Sequence, residues 1–225
     1  MSAVPKGWLR RSIEALVRRG FSEAYKTIQV DPTRYLLQLQ TAYGIPVSSY
    51  QGIFSVPLPQ LDAVAMDVIR SGMKMAAAEG AGLGLGGFLT LLPDMGILSA
   101  ITLRTIQKLS LTYGFEFNTE TETAELWVAA ASAAGVDISR ELVEKGVVKR
   151  FVPRVIQAIA VQASKEMVDK WAGRLVPILS GVVGGSLNYY FVRAWGGRAM
   201  HHFRERHRLL RETHAMPETP PQMKG

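Results

Sequence analysis

Asp94 stands inside an otherwise uncharged stretch, Gly80 to Leu103, that holds 24 residues and a single charge. A carboxylate in apolar surroundings is either a functional acid held at depth or a first-turn residue facing the positive end of a helix dipole. Pro93 immediately before it favours the second reading, because proline is suited to a helix start. Asn188, in Ser186-Leu187-Asn188-Tyr189-Tyr190, poses the same choice, and a buried amide bonded to a neighbouring helix is its structural reading. His201, His202, His207 and His214 all fall in a basic C-terminal stretch. Metal ligation from one helix face wants side chains three or four apart with a carboxylate nearby, whereas His202 and His207 are five apart. No metal site is therefore assigned, and the histidines are expected on the solvated surface.

Gly82-Leu83-Gly84-Leu85-Gly86-Gly87 spells G-x-G-x-x-G, the phosphate cradle of a dinucleotide fold. That loop must follow a strand, open a helix and be followed by an acid about twenty residues on. Here a helix pattern precedes it and the acid is missing, so no nucleotide or other cofactor is assigned. With no cysteine in the chain there is no disulfide, thiolate zinc site or thiol nucleophile. No Ser-His-Asp set or carboxylate pair assembles from local spacing. Catalysis is thus not the expected role, although residues distant in sequence can still converge.

Charge points elsewhere. The net charge is +7, with basic residues gathered in the first thirty positions and between Arg193 and Arg211. Dense cationic patches attract phosphate, from nucleic acid or from anionic lipid. No helix-turn-helix, zinc or RNA-binding signature accompanies them. Trp8, Phe21, Tyr189, Tyr190, Phe191 and Trp195 lie instead among arginines, as aromatic rings at headgroup depth do beside cations that reach lipid phosphate. The expected lipid-binding residues are Trp8, Arg10, Arg11, Arg18, Arg19, Phe21, Arg193 and Arg198. Nucleic acid is the less favoured partner.

The elements that would position these residues are all helical. Leu9, Ile13, Leu16 and Val17 recur at helical spacing with Arg11, Arg18 and Arg19 on other faces, which makes a basic amphipathic helix with Gly20 as candidate stop. Asp31-Pro32 caps a short helix over Tyr35 to Tyr43, stopped by Gly44, and Ser48 to Pro59 reads as a linker. A helix over Leu61 to Glu79 leads into the glycine-rich run, and Pro93-Asp94 opens another closed by Tyr113-Gly114. Thr121 and Thr123 are cap candidates for an alanine-rich helix ending at Gly135. Further helices are expected over Ile138 to Lys149, from Pro153 to Trp171 with Gly173 as its end, and from Tyr189 through Arg211.

Two apolar runs, Gly80 to Leu103 and the 18 uncharged residues Leu175 to Val192, are marginal against the ~20 residues a membrane span needs. Pro93-Asp94 interrupts the first, so burial or shallow insertion is favoured over crossing. Gly80 with Gly84, Gly82 with Gly86, and Gly181 with Gly185 are four apart, a spacing that lets helix backbones approach closely. A glycine loop over a helix start is the alternative for the first run, since glycine is a poor helix former in water.

In their order these features resemble the EcsC protein family, bacterial proteins named after the third gene of an ABC-transporter operon. The resemblance rests on the helix Leu61 to Ala78, the run Gly80 to Gly87, and Phe88 to Pro93-Asp94. It continues through the helix Ile97-Leu103-Arg104-Ile106-Gln107 ending in Tyr113-Gly114, and then Val176-Pro177 with Gly181, Gly184 and Asn188-Tyr189. It covers about Pro46 to Phe203. It implies a helical domain and membrane association, and no catalytic residues to carry over.

The chain is accordingly expected to be an all-α, single-domain bundle with a central pair of glycine-rich apolar helices or hairpins. Residues 1–45 form a basic amphipathic region, 46–212 the EcsC-like domain and 213–225 a disordered tail. The N-terminus shows no apolar run suited to a secretory signal, so a cytoplasmic, peripheral membrane location is expected. The expected function is non-catalytic binding of anionic membrane surfaces in support of a transport or envelope process, with a membrane protein or a second copy as further partners. The alternative is a soluble, self-associating scaffold.

Overall fold

The computed structural model describes residues 6–83, 91–138, 148–172 and 181–215, with side chains described for 7–8, 10–78, 96–138, 148–169 and 188–213. The protein is an all-α bundle, and no strand occurs among the described residues. Its helices are α1 (Lys6–Thr27), α2 (Pro32–Tyr43), α3 (Leu58–Leu83), α4 (Leu91–Thr112), α5 (Glu120–Ala133), α6 (Val148–Ala172) and α7 (Gly181–Ala215).

Helix α4 is the hub. It packs against α1, α2, α3, α5 and α7, and between Leu98 and Tyr113 only Arg104 is fully exposed. A helix buried on nearly every side must satisfy its polar groups internally. Thr102, Thr105 and Thr112 donate to the carbonyls of Leu98, Ile101 and Lys108, and Ser110 donates to the carbonyl of Phe115. Gln107 ties α4 to the segment after α1: its amide donates to Ile28 O at 3.2 Å and its carbonyl accepts from Val30 N–H at 3.0 Å. Tyr35 of α2 shares a 2.8 Å hydrogen bond with Thr112.

Helices α3 and α7 run antiparallel, with Asp62 against Arg204, Ile69 against Gly196 and Gly72 against Val192. Their close approach depends on two glycines. A Cβ on Gly72 would lie 2.6 Å from Thr105 Oγ1 and 3.2 Å from Val192 Cγ1, and one on Gly196 would lie 3.0 Å from Ile69 Cγ1. The approaches visible among the described residues thus fall at Gly72 and Gly196, which sequence reasoning did not single out. Gly80 and Gly82 continue α3, while Gly181 and Gly185 open α7; Gly84 and Gly86 lie outside the described residues.

Local signals set most helix ends. Asp31 accepts from Thr33 and Arg34 N–H ahead of Pro32, and Gly44, Gly114 and Gly135 all take positive φ. Gly114 is doubly constrained, because at φ 89° a side chain there is strained and its Cβ would meet Phe54 at 2.9 Å. Four expectations are corrected. Helix α1 passes Gly20 and runs to Thr27, since its inner face, Ile13, Val17, Phe21 and Ala24, stays buried across that point. The supposed linker holds a 3-10 turn, Gln51–Ser55, whose Ile53 and the following Val56 enter the core. The cap of α5 is Thr119, which forms a reciprocal capping box with Glu122, rather than Thr121 or Thr123. Helix α7 extends through Ala215, so residues 213–215, expected in the tail, are helical, and residues 216–225 lie outside the described residues. The expected helix over Ile138 to Lys149 falls largely outside them too, as does Gly173.

The core is contiguous from α1 to α7. In α5 the run Ala129, Ala130, Ala131 and Ala133 is fully buried, which lets this helix sit close to α6 and α7. Trp195 stacks on Phe191 at 4.3 Å and on Phe21 at 5.8 Å, and Trp127 meets Phe21 edge-on at 6.4 Å.

Candidate functional site

The inner stripe of α1, Ile13, Val17, Phe21 and Ala24, turns Trp8, Arg11, Arg18 and Arg19 outward, and Arg10 is half-buried. Trp8 is 47% exposed. Phe21 departs from expectation: at 1% exposure it is a core residue between Trp127 and Trp195 and offers nothing to a membrane. Trp195 and Phe191 are likewise buried rather than interfacial. Helix α6 packs on α1, with Gln157 donating to Glu14 across the contact at 2.8 Å. It brings exposed Lys149, Arg150 and Arg154 to the same pair of helices. Sequence reasoning missed this contribution; the signal was Lys149-Arg150 with Arg154 one turn on, ahead of an apolar helix. Arg11, Arg18, Arg19, Lys149, Arg150 and Arg154 make no ion pair among the described residues.

The C-terminal basic stretch behaves differently. Arg198 pairs with Glu166 at 3.4 Å, Arg206 with Glu125, and Arg208 with Glu205 and Glu212. Arg211 donates to the carbonyl of Val56 and Arg206 also lies over the Phe115 ring. Arg198 thereby ties α7 to α6, Arg206 ties it to α5 and Arg211 to the residue before α3, while the Arg208 pairs lie within α7. Arg193 is exposed and makes no ion pair among the described residues.

Toward the C-terminal end of α7 a polar cluster, part buried and part open, joins three helices. Asp62 accepts from Tyr113 Oη at 2.7 Å and from Arg204 Nε at 3.0 and 3.2 Å. His207 is wholly buried, not solvated as expected, because α7 turns this one histidine onto α4. Its Nδ1 donates to the carbonyl of Tyr113 at 2.9 Å, its ring stacks on Phe54 at 4.8 Å, and its Nε2 has no hydrogen-bond partner among the described residues. Burial pushes its pKa down, opposed by the Tyr113 carbonyl, with Arg211 lowering it and Asp62 raising it. Burial, then the adjacent Asp62, pushes the Tyr113 hydroxyl well above its ordinary value. Through these contacts His207 and Asp62 tie α7 to α3 and to the end of α4. His201 is exposed and His202 half-buried.

Asn188 is buried. Asp94 lies in the first turns of α4, and its side chain is outside those described. Among the described residues no three carboxylates or histidines converge as a metal site, and no helix is long and apolar enough to cross a membrane.

The model of the EcsC protein family matches residues 9–207, from α1 to the buried His207. Protein EcsC of Bacillus subtilis (strain 168) is 26% identical over 215 residues, covering 90% of this chain and 86% of that protein. An uncharacterized protein, YdbA, of the same organism is 31% identical over 68 residues, 30% of this chain and 25% of its own. No solved structure matches. With the family model spanning nearly all of the helical bundle, the chain belongs to the EcsC protein family.

Proposed function

We propose that this protein is a peripheral membrane protein that binds anionic lipid, on the cytoplasmic side, through the basic face of α1 and α6, with Trp8 as its interfacial anchor. The observation that carries the proposal is the contrast between two sets of cations. Arg198, Arg204, Arg206 and Arg208 of α7 are matched by carboxylates, while Arg11, Arg18, Arg19, Lys149, Arg150 and Arg154 stand exposed without such partners among the described residues. A cation near an anionic bilayer contributes about 1 kcal/mol, so a patch of this size supports reversible, salt-sensitive binding. An exposed indole beside it adds apolar contact at headgroup depth.

The test is cosedimentation with vesicles of phosphatidylglycerol and phosphatidylcholine in equal parts, against pure phosphatidylcholine, at low and high salt. Binding to the anionic vesicles alone, reduced by salt and abolished in Arg11→Glu/Arg18→Glu/Arg19→Glu, is the expected result. Unchanged binding by that variant refutes the assignment of α1.

A further inference from the structure

The two ring nitrogens of the buried His207 are placed differently. Nδ1 donates to the Tyr113 carbonyl, which leaves the neutral ring with a bare lone pair on Nε2, an atom without a hydrogen-bond partner among the described residues. An unused acceptor is tolerated, but protonation would turn it into the N–H of an enclosed cation with no acceptor, which is far more costly. The charges around the ring do not relieve that cost. Asp62 of α3 is already taken by the Tyr113 hydroxyl of α4 and by Arg204. On α7 itself Arg211, one turn on, opposes a second positive charge, and Arg206 and Arg208 are matched by Glu125, Glu205 and Glu212. On the remaining side the Tyr50 hydroxyl donates to the carbonyl of Pro32, and Glu116 acts on Tyr50.

One wall of this enclosure is thin. Phe54, in the 3-10 turn Gln51–Ser55, lies parallel to the imidazole, with 7° between the rings and 4.8 Å between their centres. The opposite wall is the end of α4, the helix packed among five others. The turn is held by bonds from Gly52, Ile53 and Val56 N–H to the carbonyls of Ser49, Tyr50 and Ile53, and Arg211 fastens the Val56 carbonyl to α7 at 3.2 Å. Hydrogen-bond geometry in a 3-10 turn is poorer than in an α-helix, and a short segment opens at less cost than packed helices do. A cationic ring gains some attraction from the face of Phe54, but that face does not accept the Nε2 proton. Water accepts it once Phe54 lifts away.

We infer that His207 is an acid-operated latch, whose protonation frees Phe54 and the turn Gln51–Ser55 from α7 while the helices stay packed. The latch is closed at neutral pH and opens as pH falls below the ordinary histidine value near 6.5, because the closed form disfavours the charged ring. Opening uncovers apolar surface: Ile53 and Val56, both buried in the closed form, and the Phe115 ring that Phe54 meets edge-on. The latch is independent of the membrane reading.

Hydrogen exchange of the full chain, followed by mass spectrometry and expressed as protection corrected for the intrinsic pH dependence of exchange, tests the latch. With His207 neutral in the closed form and titrating near 6.5 in the open one, opening at pH 5.5 exceeds that at pH 7.5 by up to about tenfold. The expected result is a severalfold loss of protection over residues 50–56, approaching that ceiling, with residues 98–113 of α4 unchanged. His207→Gln removes the titration and should hold the protection of 50–56 constant across this range. His207→Phe, which keeps an aromatic ring against Phe54, should do the same where glutamine disturbs the packing. His201→Gln/His202→Gln should leave the loss as it is in the parent. No loss in the parent, or the same loss in a folded His207 variant, overturns the inference. Equal loss over 50–56 and α4 shows the bundle opening as a whole, and overturns it too.

Discussion

Replacing Gly72 by alanine tests the packing of the three central helices. In a helix interior alanine is favoured over glycine by about 1 kcal/mol, wherever the methyl has room. At Gly197 it has room, since nothing lies within 4 Å of a Cβ built there. At Gly72 the methyl would sit 2.6 Å from Thr105 Oγ1 and 3.2 Å from Val192 Cγ1, both on buried side chains. Thr105 can turn aside only by giving up its 2.8 Å bond to the carbonyl of Ile101 or by pressing on the core. Overpacking of this kind costs about 1–3 kcal/mol. Because both glycines are helical, the propensity gain cancels between them. The difference in melting temperature between Gly72→Ala and Gly197→Ala then reports packing alone, and should be roughly 2–12 °C for a chain of this size. Thr105→Ala removes the obstructing hydroxyl, so Gly72→Ala should cost less in that background, by at least about 0.5 kcal/mol in a double-mutant cycle. Thermal and urea unfolding followed by circular dichroism supply both quantities. If Gly72→Ala matches or exceeds Gly197→Ala in stability, α3 does not approach α4 and α7 as described.

Acid should weaken the bundle through His207. Its folded pKa lies below the ordinary value near 6.5, so below that pH the unfolded chain binds the extra proton more readily. This contribution is complete above ~6.5 and is lost as pH falls through the folded pKa; His207→Gln should flatten that part of the stability–pH curve. Asp62→Asn loosens both Tyr113 and Arg204, and an equilibrium urea titration should show a loss of about 1–3 kcal/mol, smaller when Tyr113 is already phenylalanine. Thr119→Ala removes the capping box of α5 and should cost about 1 kcal/mol in the same titration, while Thr121→Ala should be nearly neutral.

Much of the helical framework is legible in the sequence because its signals are local. Asp31-Pro32, Gly44, Gly114 and Gly135 act within a few residues of themselves, through a cap or a positive φ that needs no distant partner. The inward stripe of α1 is legible for the same reason, and with it the outward direction of Arg11, Arg18 and Arg19. What residue type cannot state is which neighbour a side chain meets. Phe21 and Trp195 have the composition of an interfacial pair and are core, because the Phe21 ring of α1 meets Trp127 of α5 and Trp195 of α7 in the interior. Arg198, Arg206 and Arg208 look like a lipid grip and are matched by Glu166, Glu125, Glu205 and Glu212, two of which lie on other helices. His207 reads as surface and is buried, since the crossing of α7 over α4 selects one histidine of the series. By itself the sequence determined the all-α class, the helix ends at Asp31, Gly44, Gly114 and Gly135, and the sign of the exposed charge, all carried by short-range geometry. Only the tertiary structure decided which cations remain unpaired and which glycines admit a neighbouring helix, because both depend on contacts between segments far apart in the chain.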